Sequence, residues 1–223
     1  MDTEQLKQLA AEQAVEEVEP GMIVGLGTGS TIYYALLKLG EKVRSGLDII
    51  GIPTSKQTEE IATQQGISLS TLGEHPVIDL TIDGADEVNP TLDLIKGAGG
   101  ALVREKIIAH ASKRLVIIID EGKRVEQLGS NFSVPVEVVP FGWGSTQLAL
   151  NQICQSSTLR PDFVSDNGNY ILDCAFDGIP DPVTIESIIN NIPGVVDNGL
   201  FINRTDQVII GTASGVQTLK RQK

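Results

Sequence analysis

Between residues 3 and 18 the apolar positions Leu6, Leu9, Ala10, Ala14, Val15 and Val18 recur at the spacing of one helix face, with Asp2 or Thr3 as cap and Pro20-Gly21 as stop. Beyond that stop the pattern changes to short unbroken apolar runs alternating with helical stretches. Residues 22–24, 48–52, 67–69, 77–82 and 114–119 read as strands, and 30–39, 55–65 and 101–111 as helices. Strand and helix in turn imply βαβ units and a parallel sheet. After about residue 130 the texture shifts. Residues 133–139 read as a strand, 145–156 as a helix, 163–164 and 170–176 as strands around the turn Asp166-Asn167-Gly168-Asn169, and 182–189 as a helix. Strands near 200–202 and 207–211 follow, giving a βαββαβ order. The expectation is an α/β chain: a Rossmann-like parallel sheet carrying a Gly-rich phosphate loop over 1–130 and 205–223, plus a smaller ferredoxin-like α+β subdomain over 131–204.

Composition narrows what such a chain can do. With 223 residues, 41% of them hydrophobic, it buries a full core. A net charge of -12 sets up a field that repels nucleic acid and anionic membrane surfaces, so an anionic ligand has to be held by local donors. Apolar stretches such as 115–119 are far below the roughly 18 to 20 residues of a membrane span, and residues 1–9 lack a basic start or an apolar signal core. A soluble, cytoplasmic protein is expected. Cys154 and Cys174 form no CxxC pattern and flank no histidine, so they read as buried reduced thiols, neither disulfide scaffold nor zinc site.

Three segments carry candidate chemistry, two of them directly after an apolar run. In GLGTGST (25–31), glycines at 25, 27 and 29 let the backbone approach a ligand, the following helix offers unpaired N–H groups to a phosphate, and Thr28, Ser30 and Thr31 add hydroxyls. A dinucleotide fingerprint is not met: Ser30 stands where the third glycine belongs, and Asp48 precedes its apolar run. DGADE (83–87) crowds Asp83, Asp86 and Glu87 around Gly84 and Ala85, which suits acid/base work or hydroxyl binding, with a magnesium site as the competing reading. In KGAGGALVREK (96–106), Lys96 precedes Gly97, Ala98, Gly99 and Gly100, where an ammonium and backbone N–H groups can neutralise an oxyanion. Glu105 is the strongest candidate for a general base. Lys123, just past the apolar run 114–119, stands at another strand end where a phosphate or sugar oxygen could meet it. His75 and His110 lie outside these segments, so no serine or cysteine triad has an obvious base.

The ordered set GxGTGST, DGADE, KGxGxALxREK, the strand followed by a loop lysine, and SDNGNYILD (165–173) strongly resembles type A ribose-5-phosphate isomerase over nearly the whole chain. The resemblance implies interconversion of ribose 5-phosphate and ribulose 5-phosphate in the pentose phosphate pathway, with no metal or other cofactor and as a homodimer or homotetramer. It implies Glu105 as the base acting through a cis-enediolate, Asp83 assisting ring opening and hydroxyl proton transfer, Asp86 positioning the sugar and Lys96 stabilising the enediolate oxygens. Substrate binding by Thr28, Gly29, Ser30, Thr31, Gly84, Ala85, Gly97, Ala98, Gly99 and Lys123 follows in the same way, with Lys7 of the first helix reaching the phosphate. Ala98 departs from the family's commonest form, which has glycine there. Two readings of other classes compete: a sugar-phosphate sensor without chemistry, and a transferase acting on CoA or a nucleotide. The retained Glu105 and the lack of room for a DNA-binding head weigh against the first, and the missing third glycine against the second.

Overall fold

A computed structural model describes residues 1–221. In chain order the elements are α1 (Thr3–Val15), β1 (Ile23–Leu26), α2 (Ser30–Arg44), β2 (Ile50–Pro53), α3 (Lys56–Gln64), β3 (Ser68–Leu69), β4 (Leu80–Gly84), β5 (Glu87–Val88), β6 (Leu94–Ile95), α4 (Leu102–Ala111) and β7 (Leu115–Asp120). After a 3₁₀ turn at Glu121–Lys123 come β8 (Val134–Val138), α5 (Trp143–Leu150), β9 (Ser156–Leu159), β10 (Tyr170–Ala175), α6 (Pro182–Asn190), β11 (Val195–Asn198), β12 (Leu200–Phe201), β13 (Gln207–Thr212) and β14 (Gly215–Lys220). They fall into two compact units, one of Met1–Gly84, Arg104–Lys123 and the chain from Arg204 on, the other of Ala85–Val103 and Arg124–Asn203.

The first unit is built on a seven-stranded sheet of order β14-β13-β7-β4-β1-β2-β3, parallel except for the edge hairpin of β13 with β14. This is the Rossmann-like sheet the sequence predicts. Its strands are apolar runs because helices cover both faces, and all six residues of β7 are buried. Ala10, Ala14 and Val15 of α1 and Ile32, Leu36 and Leu39 of α2 pack with Leu26, Ile82 and Ile118 on one face. Ile108 of α4 packs with Ile52 and Ile78 in a separate cluster. From β1 the chain moves outward to β2 and β3, then returns to pair β4 on the other side of β1. The carboxyl ends of β1 and β4 therefore flank the switch point, the crevice position of an open α/β sheet.

The second unit holds a four-stranded antiparallel sheet of order β11-β8-β10-β9, with α5 and α6 packed on it through Leu150, Ile189 and Ile185. Counted within the subdomain this is 4-1-3-2, the ferredoxin-like arrangement predicted from the βαββαβ order. A three-stranded sheet, β12-β6-β5, completes the unit. It draws residues 85–103 into the second unit, away from the 1–130 segment of the sequence reading, because Leu94 and Ile95 pair with Phe201 and Leu200.

Several predicted elements shift. The helix expected over 145–156 stops at Leu150, because Asn151 turns its side-chain oxygen onto the N–H and hydroxyl of Ser157, both at 2.8 Å, and starts β9 instead. Residues 163–164 form no strand; β9 fills that role, and Asp162 before them has a φ of 52°. The fourth subdomain strand is Val195–Asn198, which sequence reading missed, whereas Leu200–Phe201 joins the small sheet. The run at 77–82 becomes a strand starting only at Leu80, so Asp83 and Gly84 lie within β4 and not past its end. Among the described residues no helix is long and apolar enough to cross a membrane. Both cysteines are free; a hydrogen bond with Cys154, then burial, raises the Cys174 thiol well above its usual range.

Candidate active site

In the first unit the glycine segment and Asp83 meet at the switch point. The parallel register Leu26↔Ile82 sets Gly27 beside Asp83, and a Cβ on Gly27 would lie 2.1 Å from Asp83 Oδ1 and 2.6 Å from its Cα. Only glycine allows β1 to pass the carboxylate this closely. Asp83 is 1% exposed, and its Oδ1 accepts the backbone N–H groups of Thr28 at 3.1 Å and Gly84 at 2.7 Å. Two backbone donors thus hold the carboxylate in one orientation where the loop begins.

Thr28, whose hydroxyl the sequence offers to a ligand, sits among other hydroxyls. Its hydroxyl lies 2.7 Å from Thr54 Oγ1, 2.8 Å from Ser55 Oγ and 3.1 Å from Thr58 Oγ1. Thr54 and Thr58 in turn donate to the carbonyl oxygens of Leu26 and Gly27 at 2.9 and 2.8 Å. This hydroxyl cluster ties the loop to the start of α3, where Ser55 also caps the helix through the Thr58 N–H. Sequence reasoning missed these residues; the cap pattern at Ser55 was the available signal.

Gly29, with φ 129°, is the N-cap of the fifteen-residue α2, and no side chain caps it. By contrast α1, α3 and α6 are capped by Asp2, Ser55 and Asp181. The first N–H groups of α2, around Ser30 and Thr31, therefore face outward with the positive end of the helix dipole, the arrangement that takes an anion. Gly29 and Ser30 line an open cleft of about 430 Å³ together with Glu4, Tyr33 and Thr58. Lys7 lies on α1 with its ammonium 2.7 Å from Glu4 Oε1, and Tyr34 donates to Glu4 Oε2 at 2.7 Å. Those two hydrogen bonds, Lys7 first, hold the Glu4 carboxyl below its usual range.

Glu105, 3% exposed, stands in the first turn of α4, one turn before Ile108. Ile108 reaches the bare backbone of Gly25, where a Cβ would meet its methyl at 2.9 Å, so this face of α4 lies against β1. Lys123 ends the 3₁₀ turn after β7, half-buried, in a turn shaped by the Gly122 N–H donating to Asp120 Oδ1 at 3.0 Å.

In the second unit, Lys96, Gly97, Ala98 and Gly99 form one loop with Asp86. Lys96 is 2% exposed; its N–H donates to Gly199 O at 2.9 Å and its ammonium lies 5.5 Å from the centre of the Phe201 ring. The Ala98 N–H donates to Asp86 Oδ2 at 2.9 Å. Gly97, with φ 112°, makes the bend this loop needs. Ala98 and Gly99 are exposed, so the methyl carried by Ala98 points into open surroundings. Ala85, half-buried, precedes Asp86 in the same unit. Glu87 departs from the acidic cluster: it accepts the N–H groups of Gly129, Asn131 and Phe132 at 2.6, 2.7 and 2.8 Å and anchors that segment. Asp86 precedes β5 and Glu87 opens it, and the Glu87 carboxylate turns to these amides. Among the described residues no three His, Cys, Asp or Glu side chains gather as a metal site.

A sheet with its switch point at a glycine-rich turn, an uncapped helix start and an oriented buried carboxylate define an α/β protein with the parts of a site for an anionic ligand. The family model described as Ribose 5-phosphate isomerase A (phosphoriboisomerase A) matches residues 50–215. Ribose-5-phosphate isomerase A of Gloeobacter violaceus is 53% identical over 98% of this chain and 97% of its own length. Among solved structures, ribose 5-phosphate isomerase A from Methanocaldococcus jannaschii is 42% identical with a TM-score of 0.93, covering 97% of this chain and 99% of its own. A D-ribose-5-phosphate isomerase in complex with phospho-erythronic acid is 41% identical with a TM-score of 0.97, covering 99% and 100%. The chain belongs to the ribose 5-phosphate isomerase A family, a family of aldose–ketose isomerases.

Proposed function

We propose that the protein interconverts D-ribose 5-phosphate and D-ribulose 5-phosphate through a cis-enediolate. The observation that carries this reading is the match to proteins of that name along the full chain. The two sugars are isomers, so the reaction moves hydrogen within the substrate and needs no outside oxidant or reductant. Asp83 assists ring opening by exchanging a proton with the ring oxygen and hydroxyl; its fixed orientation at the end of β4 suits that task. Glu105 removes the C2 proton of the open aldose, the electron pair moves into a C1–C2 double bond, and O1 becomes the second enediolate oxygen. Return of the proton to C1, with the O2 proton passing to O1, completes the ketose. Lys96 stabilises the negative oxygens of the intermediate, with the N–H groups of the 97–99 loop as further donors. Asp86 positions the sugar hydroxyls.

The phosphate is held by the outward N–H groups of α2 with Gly29, Ser30 and Thr31, by Lys123 and by Lys7, while Thr28 contributes by orienting Asp83. Phospho-erythronic acid, which a structural relative binds, is a phosphorylated sugar acid whose carboxylate resembles the paired oxygens of an enediolate. The same reading places the activity in the non-oxidative branch of the pentose phosphate pathway, in the cytoplasm, with a homodimer or homotetramer as the working form. The test is to incubate the purified protein with ribose 5-phosphate in EDTA and follow ribulose 5-phosphate by NMR. Formation at an enzymatic rate, competitively inhibited by phospho-erythronic acid, is expected. Saturable binding without turnover would make the protein a sensor instead.

A further inference from the structure

Arg160, which stands in none of the three chemistry-bearing segments, touches the backbone of one of them. Its Nη1 donates to the carbonyl oxygens of Gly97 at 3.2 Å and Ala98 at 3.0 Å. The rest of the guanidinium is fixed by a two-point fork, Nε to Asp173 Oδ2 at 3.0 Å and Nη2 to Asp173 Oδ1 at 2.6 Å. The guanidinium also sits 5.3 Å from the centre of the Phe163 ring, and that ring fills the space beside Gly100 where a Cβ would clash. The Arg160 N–H donates to Ile171 O at 2.9 Å, so its own backbone is anchored to β10.

The consequence follows from peptide geometry. In a trans peptide the C=O and N–H point in opposite directions, and the chain has no cis bonds among the described residues. With the Gly97 and Ala98 carbonyls both turned to Arg160, the N–H groups of Ala98 and Gly99 are turned to the opposite side. There the Ala98 N–H meets Asp86 Oδ2 at 2.9 Å. A loop of three glycines and an alanine would otherwise sample many conformations. Here it is clamped by a cation on its carbonyl side and a carboxylate on its amide side. The cation also polarises both peptides, strengthening their N–H groups as donors.

We infer that Arg160, oriented by Asp173, is a positioning residue that presets the loop after Lys96 so that the Ala98 N–H holds Asp86 and the Gly99 N–H faces the reacting oxygens. This rests on the isomerase reading for the identity of those oxygens. Lysine cannot replace it, because one ammonium cannot bind two carbonyls and hold a planar fork to Asp173 at once.

The experiment compares wild type, Arg160→Ala and Arg160→Lys by ribose 5-phosphate turnover and by amide hydrogen exchange, with thermal unfolding as the check on folding. Because the loop serves the transition state, kcat should fall at least about tenfold in both variants with KM changed less than about threefold. Added guanidinium ion at millimolar concentration should restore part of the activity of Arg160→Ala but none of Arg160→Lys. Exchange at positions 97–100 should quicken while the rest of the chain keeps its protection. A folded Arg160→Ala with kcat within about twofold of wild type overturns the inference, as does a loss that guanidinium does not restore and that follows the unfolded fraction. If Arg160→Ala does not fold, Arg160→Lys carries the same two readouts. Wild type without turnover refutes the isomerase reading alone, and unchanged exchange at 97–100 would then still refute the clamp.

Discussion

Gly27 and Asp83 show how a single absent Cβ sets the chemistry of a strand end. The carboxylate occupies the space a side chain at 27 would need, so replacement would force β1 and β4 apart or swing Asp83 off its two N–H donors. Gly27→Ala should therefore cost about 1 to 3 kcal/mol of stability by overpacking and reduce turnover further than the folded fraction explains. Urea unfolding together with kcat measured on the folded fraction checks both; unchanged kcat would detach Asp83's orientation from catalysis. At this scale the sequence exposed the residue types and hid their directions. Glycines and charges announce themselves, but Thr28 turning its hydroxyl onto Thr54, Ser55 and Thr58 depends on where α3 starts. Glu87 belongs with Asp83 and Asp86 on paper, yet its carboxylate takes three backbone amides near Gly129.

Among the elements, strands buried on both faces and strongly periodic helices were legible from pattern alone, because burial writes itself as unbroken Val, Ile and Leu. Very short strands and polar edge strands were not: β5 and β6 have two residues each, and the edge strand β14 reads GVQTLK with little buried. The segment SDNGNYILD was legible as a turn and strand, but not what holds it. Glu137 of β8, fully buried, accepts Ser165 Oγ at 2.9 Å, Asn167 Nδ2 at 3.0 Å and Asn169 Nδ2 at 2.8 Å on Oε1, while its Oε2 has no partner among the described residues. Glu137→Ala takes the acceptor away from the buried Ser165 hydroxyl and from the Asn167 and Asn169 amides, and should lose about 3 kcal/mol in urea unfolding. Glu137→Gln keeps the accepting oxygen and removes the buried charge, so it should lose less than about 1 kcal/mol. Equal losses would show that charge, and not acceptance at Oε1, holds the turn.

For the whole molecule, the two-unit plan divides the chemistry-bearing segments. DGADE is divided between the units after Gly84, and α4 begins in one at Leu102 and continues in the other from Arg104. Chemistry-bearing segments were readable because each is local; the role of Arg160 was not, because its bonds to the 97–98 backbone span more than sixty positions of sequence. The net charge of -12 gives an anionic sugar phosphate no long-range attraction, so in the proposed reading recognition falls to the α2 amides and the lysines assigned to it. The central claim is that Glu105 carries the proton between C2 and C1. The most direct measurement is proton NMR of ribose 5-phosphate turned over in D₂O by wild type and by Glu105→Gln. A relay through a carboxylate that exchanges with solvent predicts deuterium at C1 of the ribulose 5-phosphate made by wild type, and a rate at least about a hundredfold lower for a folded Glu105→Gln. Near-normal turnover by that variant would contradict the mechanism.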